Sequence, residues 1–223
     1  GITVRSVNGP EYTIVTRSGG NMRFFYVSHS NAVVDGFTLQ NGYMWTTAPY
    51  DRGGAVYIIT GLVQNCWVQW SQAYYGGGIF MDGGTVSNCA VLKNYSYYHG
   101  GGIYAANGTI RDCPLIAGNY TDWSYSGDGG GIWMFTGLVQ NCTIVSNVAR
   151  YGGGVCLDTG RPTVRNCTIA DNRAYNLSMG LAYRLQRNLE LSAGASASIT
   201  EDDLASINDR TTIGANSRLV WQF

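Results

Sequence analysis

Charge is scarce in this sequence. Of 223 residues only 13% are Asp, Glu, Lys or Arg, the two signs balance at 14 each, and the single lysine is Lys93. So neutral a chain lacks the basic patch that nucleic acid or an anionic membrane surface demands, which argues against both as main partner. Long hydrophobic runs are missing too. No segment of 18 apolar residues exists, so no transmembrane helix is expected. No 12-residue window carries a 3.6-residue apolar period with helix caps, which removes paired-helix repeats. The two histidines, His29 and His99, stand in no motif, and the six cysteines include no Cys-x-x-Cys. No metal and no cofactor are therefore expected.

What is abundant is glycine, with 31 residues, and tyrosine plus tryptophan, with 16 and 6. Much of this material falls into one recurring phrase: a glycine run, a short apolar stretch, a turn, then Val-x-Asn-Cys. The runs are Gly53-Gly54, Gly76 to Gly78, Gly100 to Gly102, Gly129 to Gly131 and Gly152 to Gly154. Cys66, Cys89, Cys113, Cys142 and Cys167 follow them, 23, 24, 29 and 25 residues apart. A period of this size marks a solenoid, whose units bury their apolar faces only by stacking on one another. The apolar stretches are brief and β-rich, punctuated by Gly, Asn and Asp, and the Leu-x-x-Leu-x-Leu frame of leucine-rich repeats is absent. A parallel β-helix fits, with two or three short strands per coil and equivalent residues about 4.8 Å apart on successive coils.

Stacking assigns roles to the repeated residues. Val63, Val86, Ile110, Val139 and Val164 form an inward aliphatic column. The cysteines come three positions later. Strict alternation would turn them away from that column, whereas a bend at the preceding Asn would turn them inward. Asn65, Asn88, Asn141 and Asn166, with Asp112 in one variant coil, hold the position before Cys. Asn94, Asn119, Asn147 and Asn172 form a second set after the strand. Stacked amides can hydrogen-bond along the axis, and Asn tolerates the left-handed conformation of tight corners. The cysteines are expected to be reduced, packed rungs, since parallel in-register side chains suit a disulfide poorly. Cys156 lies outside the column, on another face.

The stretch Asn147-Val-Ala-Arg-Tyr-Gly-Gly-Gly-Val155 resembles the Asn-x-Ala-x-x-Gly-Gly-[Ala/Gly]-[Ile/Val] repeat of polymorphic outer-membrane proteins, and Gly53-Gly54-Ala55-Val56 matches the same core. The opening Ile2 to Pro10 and Asp35-Gly-Phe-Thr-Leu39 resemble the first coils of pectin-lyase-like β-helix domains. The resemblance covers roughly residues 1–176. It implies an all-β, right-handed parallel β-helix of about six or seven coils of the kind found on bacterial surfaces and in autotransporter passengers. It transfers no catalytic residue, because the repeated motifs are scaffold motifs.

After Asn176 the phrase stops. Three runs alternate with period two, Leu177 to Gln186, Leu189 to Ile199 and Ile213 to Phe223, and read as long antiparallel strands. The expected organisation is a β-helix over 1–176 and an antiparallel appendage over 177–223. The appendage caps the solenoid, donates strands to a neighbouring subunit, or joins a membrane barrel shared between chains. Leu219, Trp221 and Phe223 are its candidate assembly residues.

Functional expectations follow from where the phrase breaks. The longest repeat inserts Tyr120-Thr-Asp-Trp-Ser-Tyr-Ser-Gly-Asp128, read as a protruding loop. Tyr95, Tyr97, Tyr98, Tyr120, Trp123, Tyr125 and Asp128 are candidate binding residues for sugar rings or a partner protein, against the alternative that the tyrosines are only a structural stack. Among the carboxylates that an enzyme would need, Asp82 and Asp158 read as turn residues and Asp112 as a variant rung. The sequons at Asn94, Asn107, Asn119, Asn141, Asn166 and Asn176 are in several cases by-products of the Asn-Cys-Thr repeat. The chain starts at Gly1 with neither Met nor a leader and reads as a trimmed, exported form. The preferred function is an extracellular structural or adhesive protein of a bacterial surface, self-associating into a fibre or layer through its open end and C-terminal strands. Host or neighbouring surface proteins and glycans are its possible partners. The alternative is a carbohydrate-binding or carbohydrate-active β-helix, a polysaccharide lyase or glycoside hydrolase.

Overall fold

Short strands separated by bends of two or three residues leave a chain no choice but to turn often, and here it turns four times per coil. The computed structural model describes residues 1–46, 51–122, 124 and 127–175, with the backbone of two further strands, Leu191–Ala195 and Arg218–Trp221. It is a parallel β-solenoid of about six turns with no α-helix among the described residues. Each coil contributes one strand to each of four parallel sheets, where the sequence suggested two or three. One coil shows the order: Leu62–Gln64 in the first sheet, Trp67–Gln69 in the second, Gln72–Tyr75 in the third, Ile79–Met81 in the fourth, then Thr85–Ser87 back in the first. The strands number seven, seven, six and six along the solenoid. The extra strands arise because bends of two or three residues still leave room for three-residue strands between them.

The register is strict. Val34, Val63, Val86, Ile110, Val139 and Val164 stack in the first sheet. Leu39, Val68, Val91, Ile116, Ile144 and Ile169 do the same in the second. The fourth sheet turns two residues of every strand inward, such as Ile79 and Met81 or Ile132 and Met134. These columns form one continuous core. Each fully buried aliphatic side chain contributes about 1.5–3 kcal/mol of transfer free energy.

The cysteines resolve inward. Asn65, Asn88, Asp112, Asn141 and Asn166 all take φ between 50° and 56°. That left-handed residue breaks the alternation between the first and second sheets, so the next side chain turns into the core. Cys66, Cys89, Cys113, Cys142 and Cys167 are buried and unbridged. Each thiol donates to the carbonyl two residues back, for example Cys66 Sγ to Gln64 O at 3.1 Å and Cys142 Sγ to Gln140 O at 3.1 Å. Burial pushes the Cys89 thiol well above its ordinary value, and hydrogen bonding with Cys113 pushes Cys142 up to about 12. One coil earlier Gly36, φ 81°, and the buried Phe37 fill the same two places.

The second asparagine set does not supply the left-handed corner residue. That falls one position earlier, on Trp70, Lys93, Gly118, Ser146 and Asp171. Asn94, Asn119 and Asn147 are buried instead, at 1%, 0% and 0% exposure, because their amides replace backbone partners inside the bend. Asn94 Nδ2 donates to Asn119 Oδ1 at 3.0 Å, Asn119 Nδ2 to Asn147 Oδ1 at 2.9 Å, and Asn147 Nδ2 to Asn172 Oδ1 at 3.0 Å. Each Nδ2 also donates to a main-chain carbonyl of the coil before, and each Oδ1 also accepts the main-chain N–H of the rung before it. The third glycine of each three-glycine run packs flat on this stack. A Cβ at Gly102 would meet Gly131 O at 2.7 Å and the Asn119 amide at 3.0 Å.

Beyond residue 175 only two strands are described. Leu191–Ala195 and Arg218–Trp221 pair antiparallel, and the latter pairs antiparallel through Val220 with Thr168 at the edge of the second sheet. Leu219 and Trp221 lie in that strand; Phe223 and the remaining tail positions lie outside the described residues.

Candidate ligand-binding corner

Between the third and fourth sheets stands the glycine run, and the residue in front of each run repeats its place from coil to coil. Arg52, Tyr75, His99, Asp128 and Tyr151 pair in sequence along this row. The outward positions of the fourth sheet form a second row: Tyr26, Tyr57, Phe80, Tyr104, Trp133 and Cys156. A residue of the first row packs over the second row one coil further on. The Arg52 guanidinium carbon sits 4.9 Å from the centre of the Phe80 ring, Tyr75 meets Tyr104 at 5.7 Å, and His99 meets Trp133 at 5.7 Å. Arg23 stands in the same relation to Tyr57, at 5.1 Å.

The rings of the second row also pack on each other, edge to face at the first two contacts and stacked at the last two. Centroid separations run 5.2 Å for Tyr26–Tyr57, 5.0 Å for Tyr57–Phe80, 4.7 Å for Phe80–Tyr104 and 4.3 Å for Tyr104–Trp133. The spacing follows the interstrand distance, and pairs in this range gain about 0.5–1.5 kcal/mol beyond area burial. On the third sheet the surface continues through Trp45–Tyr74 at 4.6 Å, Tyr74–Tyr97 at 5.3 Å, Tyr75–Tyr98 at 5.2 Å and Tyr95–Tyr120 at 5.5 Å. The strand Tyr95–His99 carries an extra residue relative to Gln72–Tyr75, and the bulge sets both Tyr97 and Tyr98 on the surface. Phe80 and Trp133 are buried beneath their neighbours, while Tyr74, Tyr75, Tyr97 and Tyr98 stay half-exposed.

Of the residues singled out by sequence, Tyr95, Tyr97, Tyr98, Tyr120 and Asp128 come together at this corner. Trp123 and Tyr125 lie outside the described residues. The nine-residue insertion is shorter than expected: Tyr120 and Thr121 pair in register with Tyr95 and Ser96, and Asp128 pairs with His99, so only the span between them departs from the coil. Asp122 anchors that departure. Burial raises its carboxyl, but Ser124 and the Tyr95 hydroxyl, donating at 2.6 and 3.1 Å, outweigh it and hold the group below its ordinary value.

The polar trim of the corner is uneven. At one end Arg23 donates to the carbonyls of Gly53, at 3.0 Å, and Arg52. Midway the Tyr57 hydroxyl donates to Asp82 at 2.6 Å; burial first and this bond second raise the phenol. At the other end stand His99, Asp128, Arg150 and Asp158. Asp82 and Asp158 are turn residues, yet Asp158 lies close enough to act electrostatically on both His99 and Asp128. Asp112, far from this corner, accepts from Asn141 at 2.8 Å and Arg111 at 2.7 Å as a rung.

Sequence reasoning missed the fourth-sheet row altogether. The signal was present: the second residue of the strand after the glycine run is Tyr57, Phe80, Tyr104 and Trp133 in four coils of five, with Cys156 in the last. Among the described residues no three His, Cys, Asp or Glu side chains converge as metal ligands. No family model, no curated protein and no solved structure matches this chain, so the corner speaks through its own geometry.

Proposed function

We propose that this chain is an adhesive β-solenoid of the cell exterior, related to the pectin-lyase-like and surface-repeat β-helices it resembles, whose ring-covered corner binds extended carbohydrate chains. One observation carries the reading: the half-exposed rings of Tyr57, Tyr74, Tyr75, Tyr97, Tyr98 and Tyr104, packed on one another and on the buried Phe80 and Trp133, recur at the coil spacing. Aromatic faces beside hydroxyls and carboxylates suit sugar rings, and a one-dimensional row suits a polymer whose units recur along it. The neutral chain disfavours polyanions as a general class.

Affinity electrophoresis through gels carrying cellulose-, chitin-, pectin- and alginate-type polysaccharides tests it. Retardation by at least one polymer is expected, weakened about tenfold by Tyr74→Ala with Tyr98→Ala, the loss that two ring contacts would give. Migration unchanged in every gel, or retardation indifferent to the paired substitution, removes the proposal.

Self-association is a second reading, and the coil nearest Gly1 favours it. Ile2, Val7, Tyr12 and Ile14 are 73%, 96%, 75% and 54% exposed there, on or beside the edge strands Thr3–Arg5 and Ile14–Thr16. Apolar unpaired edges recruit further strands. Light scattering at rising concentration should show growth beyond the monomer; a constant monomer mass would end this reading.

A further inference from the structure

Along the corner the row in front of the glycines changes from cation to ring to acid. Arg52 and Tyr75 give way to His99 and then Asp128. The Asp128 main-chain N–H donates to His99 Nδ1 at 3.3 Å. Nδ1 therefore presents a lone pair, and the proton of the neutral ring is assigned to Nε2. Asp128 Oδ2 lies 3.8 Å from the same Nδ1. While the carboxyl is ionised, two lone-pair-bearing atoms face each other with no hydrogen between them. Its other oxygen fares worse, because Oδ1 is buried without any hydrogen-bond partner. A buried, unpaired oxygen is costly on an ionised carboxylate and far less so on a neutral acid.

The surroundings point the same way. His99 faces the carboxyl from the coil before; Arg150, Cys156 and Asp158 face it from the coil after. Burial lifts the Asp128 carboxyl to about 6, with Arg150 opposing and Asp158 reinforcing. Burial holds the His99 ring below its ordinary value, with Asp158 opposing. Burial and the two aspartates push the Cys156 thiol up to about 12, which leaves it neutral. A polymer laid across the rings would cover this end of the corner and bury the carboxyl further, favouring the neutral acid.

We propose that Asp128 serves the corner as a protonated carboxylic acid that donates a hydrogen bond to an acceptor oxygen of the bound saccharide, so that binding tightens as the medium becomes acidic. This rests on the reading that the corner binds saccharide. Covering the site raises the proton affinity of the acid, so binding takes up a proton and weakens as pH rises through the free-state value.

Two measurements test it together. The first follows the side-chain carboxyl of Asp128 in the free protein by carbon-13 NMR, assigned by its loss in Asp128→Asn. The second follows affinity for the best polymer of the panel from about pH 5 to about pH 8. Wild type should weaken about tenfold or more over that range, as one linked proton allows. Asp128→Asn, whose amide donates at any pH, should bind with little pH dependence, and Asp128→Ala should bind weakly throughout. A carboxyl that titrates in the ordinary aspartate range overturns the inference whatever binds. Equal pH profiles for wild type and Asp128→Asn overturn it too. If the carboxyl titrates high but no polymer binds wild type at about pH 5, the saccharide reading fails, and the donor role falls with it.

Discussion

Two columns of asparagine run along this solenoid at the same spacing, and they do opposite work. The column before the cysteines, at Asn65, Asn88, Asp112, Asn141 and Asn166, lies at the surface and supplies left-handed backbone; its amide bonds, such as Asn88 Nδ2 to Asn65 Oδ1 at 2.8 Å, stay within reach of water. The column at Asn94, Asn119 and Asn147 is buried, leaves the left-handed turn to its neighbour, and spends every amide hydrogen on protein partners, with two hydrogen bonds accepted by the oxygens of Asn119 and Asn147 and one by that of Asn94. A residue type repeated in register announces a column; only its place relative to the bend says whether backbone or side chain is the reason.

The sharpest way to break the comparison is Asn119→Ala. It leaves the Asn94 main-chain N–H and one Asn94 amide hydrogen without their acceptor and takes the side-chain donor from the Val91 carbonyl and the Asn147 oxygen, all in a buried setting, and should cost about 3 kcal/mol or more in denaturant unfolding. A loss below about 1 kcal/mol would mean that water enters the stack. The exposed column should answer more mildly and in a residue-specific way. Asn88→Ala asks an alanine to hold φ near 50° and should cost about 1 kcal/mol, whereas Asn88→Gly should be within a few tenths of wild type. Equal losses for Ala and Gly would show that the amide bond, rather than the backbone, matters there. The smallest effect concerns the carboxylate heading the exposed column. Burial raises Asp35, but Asn65, Gln64 and Arg5, at 2.7, 3.1 and 2.7 Å, outweigh it and hold the carboxyl below its ordinary value. Its contribution is present above about pH 4, the unfolded value, and fades as pH falls through the lower folded value. Thermal scans between about pH 5 and about pH 2 should show a shallower acid loss in Asp35→Asn than in wild type; parallel curves would deny Asp35 that role.

Much of the scaffold was readable because in-register stacking turns sequence period directly into spatial columns. The Val63-to-Val164 column, the buried unbridged cysteines and the amide stack all rest on that one fact. The sequence left one point open where a single φ decides the matter. Alternation alone would face Cys66 outward and a bend at Asn65 inward, and the left-handed Asn65 turns it inward. The reading faltered over Tyr120, placed in a loop because the repeat is long, although the strand pairing to Tyr95 absorbs it. The corner was half-visible: Tyr95, Tyr97, Tyr98 and Asp128 were picked out as local clusters along the chain. Tyr57, Phe80, Tyr104 and Trp133 were hidden because each is alone in its own segment, and only stacking makes them neighbours.

The buried amide stack has a sense of direction. From Asn94 to Asn147 each Nδ2 sends one hydrogen to the amide oxygen of the higher-numbered coil, none to the amide oxygen of the coil before, and at the lower end Ser71 replaces an amide, its hydroxyl taking the Gly42 N–H at 3.1 Å. A middle coil brings one acceptor and one set of donors and leaves the valence of the stack unchanged, so a coil duplicated or deleted between Asn94 and Asn147 orphans no polar atom of the stack itself. The two ends are not interchangeable. Asn172 closes the described stack as a donor, so any further coil or cap joining there must arrive with an oxygen. The length of this solenoid is thereby a free variable for evolution or design, while its polarity is not.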